Sequence, residues 1–176
     1  MLTRRTLLAL SGALLAALCG CAGEPVDPAP AEPEPADQTV SVRFPASFLN
    51  LCALSQEDVI EQYADGASED ALDAASDGDD VILTFTTTQF EAQVGKWEEE
   101  LKDETASLLA RDCVDAVEVS DDLRAITVTA RPSFTDDNDA AADLYMIMVA
   151  CGYLQLFDGQ EDWGFRAAFV DADTGV

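Results

Sequence analysis

Histidine is absent from this chain of 176 residues. That removes the commonest general base and the commonest transition-metal ligand together, and with them any Cys–His nucleophilic pair. Positive charge is nearly as scarce. Nine basic side chains face 35 acidic ones, a net charge of −26, and Lys96 and Lys102 are the only lysines. A chain this negative repels phosphate backbones, so nucleic acid is not expected as a partner. Also missing are a glycine-rich phosphate loop, a nucleophile elbow and a redox CxxC pair.

What is present begins at the N-terminus. Arg4 and Arg5 make a positive leader, and Leu7 to Leu18 is an apolar run of about a dozen residues, within the signal-peptide range and short of the ~20 that a spanning helix needs. Leu18-Cys19-Gly20-Cys21 follows and resembles the bacterial lipobox, in which the final Cys is acylated and becomes the first residue of the mature chain. Cys21 is therefore the expected lipidation site. Cys19 is the competitor, but the bulky Leu18 immediately before it does not suit that cleavage. Thr3-Arg4-Arg5-Thr6-Leu7-Leu8 also resembles a twin-arginine signal, so both export routes stay open. Loss of residues 1–20 leaves seven basic against 35 acidic side chains, a net charge of −28. The domain's own charge disfavours anionic lipid, so the acyl chains must hold it at the membrane.

Residues 21–38 carry five of the seven prolines, alternating with Ala, Glu and Asp. This reads as an extended acidic tether, reaching on the order of 50 Å at about 3.1 Å per residue. Residues 39–176 are expected to form one α+β domain, long enough for a single core.

Alternating apolar residues give a strand at 39–44, ended by Pro45. Ser55 caps a helix near 55–65 that Gly66 should stop. Residues 69–76 suit a helical turn or a strand; Asp77-Gly78 before Val81–Thr86 favours a strand at 71–75 in a hairpin with 80–87. Thr88 and Glu91 have capping-box spacing for a helix over 89–111. Its stripe of Phe90, Val94, Trp97, Leu101, Thr105 and Leu108 is expected to face the core. Strands at 114–119 and 125–130 turn at Asp121-Asp122. A helix over 140–157 follows, with Leu144 to Leu154 free of charged and amide groups between Asp143 and Gln155. It reads as a central core helix, with a dimer surface or the wall of an apolar pocket as functional alternatives. Gly159 ends it, and 163–170 supplies the last strand. The expected architecture is a mostly antiparallel sheet of five or six strands with helices 89–111 and 140–157 on one face.

Chemistry is hard to find. Cys52, Cys113 and Cys151 remain after Cys21, so either one thiol is left over from a disulfide or all three stay reduced in the core. Asp73, Asp77 and Gly78 match positions one, five and six of a calcium loop, but Ala75 and Thr84 break the pattern. Asp136, Asp137, Asn138 and Asp139 gather oxygens, as do Asp171 and Asp173; each group is more simply a helix cap or a solvated turn. Paired carboxylates for a hydrolase are always available among 35 acids and so carry no information. No catalytic residue, metal site or cofactor is assigned.

From Val40 onward the chain resembles small, functionally unassigned lipoproteins of Gram-positive bacteria. The features that carry the likeness are the strand closing on Pro45, the Asp-Gly hairpin before a Thr-rich strand and long acidic helix, and the aromatic-rich helix. It closes with an aromatic strand and Phe169-Val170-Asp171-Ala172-Asp173-Thr174-Gly175. In such proteins the Thr-Gly turn leads on into further residues, so the last element is expected to be incomplete at Val176. The resemblance implies fold and location and no activity. The expected protein is a lipid-anchored, extracytoplasmic envelope protein with a non-catalytic domain, whose partner is the membrane through its acyl anchor. A binding module for a small apolar or cationic ligand is the alternative, and a carboxylate hydrolase a remote one.

Overall fold

The computed structural model describes residues 38–63 and 69–175. The signal peptide, Cys21, nearly all of the tether and the Gly66 stop lie outside the described residues.

The domain is α+β, but its strands form two sheets of three where one sheet is expected from the sequence. The first holds β1 (Thr39–Phe44), β2 (Asp73–Asp77) and β3 (Asp80–Thr86) in the order β1-β3-β2, all antiparallel. The strand reading of 71–75 therefore holds, shifted by two residues. Gly78 is the first of two loop residues between Asp77 and Asp80 and has φ 65°. A II′ hairpin needs positive φ at that position alone, which glycine adopts without strain. The second sheet holds β4 (Val114–Val119), β5 (Ala125–Ala130) and β6 (Arg166–Asp171). Its outer strand β6 runs parallel to β5, departing from the antiparallel expectation, and starts three residues later than expected. The physical reason is the connection: a whole helix separates β5 from β6, and such a crossover returns the chain in the same direction.

Two helices precede the first hairpin. α1 (Ala46–Leu51) has no counterpart in the sequence reading; six residues are too few for a periodic signal. Its Phe48 is fully buried. α2 (Gln56–Tyr63) is capped by Ser55, whose Oγ accepts from the Asp58 N–H at 3.1 Å. α3 (Thr87–Leu109) starts earlier than expected because its capping box is Thr86 with Gln89, two residues before the Thr88–Glu91 spacing read from the sequence. Thr86 Oγ1 accepts from the Gln89 N–H at 3.1 Å, and Gln89 Oε1 accepts from the Thr86 N–H at 2.9 Å.

The last helix, α4 (Asn138–Phe157), runs against α3 and organises the interior. By length and composition it passes for a membrane span. Twelve of its 20 residues are buried within the protein instead. It is apolar all round because it serves two cores. Leu156 and Phe157, with Tyr153, pack against Val42, Phe44, Leu83 and Phe85 of the first sheet. Ala140, Leu144, Ile147 and Cys151 pack against Ile126 and Val128 of the second. At about 1.5–3 kcal/mol per large apolar side chain buried, these contacts far outweigh the ~1 kcal/mol of a helix cap.

The residues bracketing its apolar run do not face solvent. Asp143 Oδ2 accepts from Ser107 Oγ (3.0 Å) and Arg111 Nε (2.9 Å), with the Arg111 Nη2 at 2.8 Å. Gln155 is wholly buried; its Nε2 donates to the Leu123 carbonyl (2.9 Å) and its Oε1 accepts from the Gly164 N–H (3.0 Å). One polar group thus locks α3 to α4, and the other locks α4 to the turn between β4 and β5 and the loop before β6.

Candidate functional site

The acidic groups singled out in the sequence are occupied by structural work. Asp77 pairs with Arg43, which also donates to Asp80 Oδ2 at 2.9 Å. The Ala46 N–H, then Arg43, hold the Asp80 carboxyl below the usual range. Asp73 lies at the start of β2, and Gly78 is spent on the hairpin. Asp137 Oδ1 caps α4 by accepting from the N–H groups of Asp139 and Ala140, both at 3.0 Å, and the Ala140 bond does most to lower its pKa. Asp136 and Asn138 flank that cap, and Asp139 lies 3.4 Å from Arg111 Nη1. Asp171 Oδ1 accepts from the Asp173 and Thr174 N–H groups at 2.9 Å, closing the terminal turn. Among the described residues no group of three or more Cys, Asp or Glu side chains is disposed to hold a metal ion.

Cys52, Cys113 and Cys151 are all free thiols, in keeping with the second of the two options open from the sequence. Burial pushes the thiols of Cys52 and Cys151 up to about 11. Only the thiolate is a competent nucleophile, so alkylation of the native protein at pH 8 is expected to label Cys52 slowly and to spare Cys151 and Cys113 until denaturant is added. Mass mapping of iodoacetamide adducts with and without denaturant checks this; rapid native labelling of Cys151 contradicts its burial.

A concave site does exist, and the apolar helix α4 forms part of its wall. A cavity of roughly 270 Å³ opens between the first sheet, α2, α3 and the C-terminal half of α4. Its base is apolar: Phe44 from β1, Leu83 and Phe85 from β3, and Phe157 from α4. Periodicity explains the convergence. Phe44, Leu83 and Phe85 alternate onto the inner face of their strands, and Tyr153 and Phe157 stand four residues apart on α4. Trp97 and Tyr153 stack at 3.9 Å between centroids with their planes 11° apart. The edges of Phe48 (4.8 Å) and Phe44 (5.7 Å) hold Tyr153 in place.

The rim is polar. Gln62 and Tyr63 of α2, Asp70, and Gln93 and Lys96 of α3 line it. Gln93 Nε2 donates to Asp70 Oδ1 at 2.8 Å, and Lys96 Nζ stands over the Trp97 ring, 5.9 Å from its centroid. Both phenols stay neutral over the ordinary pH range. Burial raises the Tyr153 pKa, helped by Cys52, Tyr63 and Tyr145; burial and then Asp70 raise that of Tyr63. Among the described residues, the cavity therefore offers an uncharged aromatic interior with one carboxylate and one ammonium at its edge.

This arrangement is only partly visible in the sequence. The α3 stripe does face inward, but of its six members Leu108 alone is fully buried. Phe90, Val94 and Trp97 are half-buried, and Trp97 lines the cavity. A stripe at helical spacing has the same pattern whether it meets a packed core or a cavity. Asp70 and Gln93 carry no sequence signal at all. Comparison with protein-family profiles, with curated protein sequences and with solved structures finds no match for this chain.

Proposed function

We propose that this chain is an exported, lipid-anchored protein of the cell envelope whose domain works by binding and performs no catalysis. The location rests on Leu18-Cys19-Gly20-Cys21, which places an acylatable thiol directly behind a positive, apolar leader. Residues 21–38 then set the domain off from the bilayer on the extracytoplasmic side, held there by the acyl chains. The likeness to small Gram-positive lipoproteins agrees with that location.

The observation that favours binding over a purely structural role is the aromatic cavity. Ligand sites are concave, mostly apolar and edged with a few polar groups. The space walled by Trp97, Tyr153 and Phe157 and rimmed by Gln62, Asp70, Gln93 and Lys96 has that composition.

The anchor is tested by metabolic labelling with a fatty acid in cells producing the wild type or Cys21→Ala. Label is expected in the wild type and absent from the variant. Equal label in both overturns the anchor, and loss of label in Cys19→Ala but not in Cys21→Ala moves it to Cys19.

A further inference from the structure

The cavity's chemistry narrows what it takes, given the binding reading above. Its lining includes the rings of Trp97, Tyr153, Phe44 and Phe157, and among the described residues Asp70 is the only carboxylate that lines it. Aromatic faces attract cations and disfavour anions, and the protein already places an ammonium, that of Lys96, over the Trp97 ring. The surrounding chain carries 35 acidic side chains against nine basic ones, a field that concentrates cations at a cleft and depletes anions. The phenols of Tyr153 and Tyr63 stay protonated, so they add no negative charge to the lining. We infer that the cavity formed by Trp97, Tyr153 and Phe157, with Asp70 on its rim, binds small cationic amphiphiles of the arylalkylamine class, the ring seated in the apolar base and the ammonium at the mouth.

Lys96 and Asp70 then act in opposite senses on the same ligand. Asp70 attracts the incoming ammonium, although it shares its carboxylate with Gln93. Lys96 competes with that ammonium for the Trp97 ring and repels it. Substitutions of these two exposed rim residues should thus move affinity in opposite directions, which a site chosen by apolar contact alone does not do.

The test compares three probes on the full chain by titration calorimetry: phenethylamine, 2-phenylethanol and phenylacetate, which share a ring and differ in head-group charge. The indole N–H signals of Trp97 and Trp163, the only two tryptophans, report the place of binding by NMR. Phenethylamine is expected to bind about tenfold or more tighter than phenylacetate, with the alcohol between them, and to shift the Trp97 signal more than that of Trp163. Asp70→Asn should weaken phenethylamine by about 2–5-fold and Lys96→Ala should tighten it by a similar factor, as befits single charges at an exposed rim. Trp97→Ala should abolish binding; the two rim variants keep the test valid if that variant fails to fold. Equal affinities, or a preference for phenylacetate, overturn the charge assignment and leave a binding cavity standing. Failure of all three probes to bind overturns both this inference and the binding reading, while the anchor stands or falls on its own labelling experiment.

Discussion

Gly152→Val is expected to destabilise the domain by about 3 kcal/mol, the upper end of what overpacking a core costs. The cause is local and geometric. A Cβ on residue 152 falls 2.5 Å from Phe48 Cε2 and 3.1 Å from its Cδ2. The Phe48 ring has nowhere to go. It is fully buried, edge-on to Tyr153 at 4.8 Å and to Trp163 at 5.1 Å, and packed against Phe44 at 5.9 Å. Glycine inside a helix costs about 1 kcal/mol relative to alanine, so the chain gives up helix stability at 152 to let α1 approach α4. Gly152→Ala recovers that 1 kcal/mol while incurring the clash, and should still lose about 1 kcal/mol net. Gly95, within α3, has nothing within 4 Å of its Cβ position. Gly95→Ala should therefore gain about 0.5–1 kcal/mol. Thermal melts read the pair at about 3–5 °C per kcal/mol for a domain of this size. A Gly152→Val protein that melts like the wild type contradicts the packing of α1 on α4.

Gln155→Leu should cost a comparable amount, about 2–4 kcal/mol, by a different mechanism. The substitution keeps the volume and removes the amide. It strands the Leu123 carbonyl and the Gly164 N–H, the two backbone groups that Gln155 satisfies. Both are part-buried, and each such group left without a partner costs about 1–2 kcal/mol, toward the lower end of the range for full burial. Leu123 is in the left-handed region at φ 61°, in a turn that Ser120 and Asp122 also brace through the Arg124 N–H. Gln155→Glu separates charge from shape. Protonated, its carboxyl offers an acceptor to Gly164 and an O–H donor to Leu123; ionised, it loses that donor and places a charge in a fully buried site. Burial raises the pKa of such a carboxyl above its unfolded value. The native state then holds a proton that the unfolded state has lost, so stability falls as pH rises through that window. Denaturant melts at pH 5 and pH 8 should find the gap between Gln155→Glu and the wild type wider at pH 8. A gap that is the same at both pH values contradicts the burial of residue 155.

Both positions show what the sequence carries and what it withholds. Local signals read well: the Asp77-Gly78 hairpin, the Ser55 cap, the β4–β5 pair, and α4 as an apolar core helix all follow from near neighbours in the chain. Long-range assignments do not. That β1 joins β3 while β6 joins β5 brings together residues far apart in the chain, and a helix apolar on every side gives no preference between two sheets. Gln155 looks like the polar end of a run because a buried, satisfied amide and a solvated one are the same letter. The cavity is hidden for a related reason: Trp97 and Tyr153 meet only once α3 lies against α4, and no spacing within either helix announces the gap beside them.

The double duty of α4 also constrains when this domain can form. A chain made N-terminus first completes the β2–β3 hairpin by residue 86, yet part of the cover over Val42, Phe44, Leu83 and Phe85 comes from Phe157, beside Phe48, Val59 and Trp97. The second sheet waits for the same helix and then for β6. Neither half has its full apolar cover until α4 is in place, so the two cores are expected to close together.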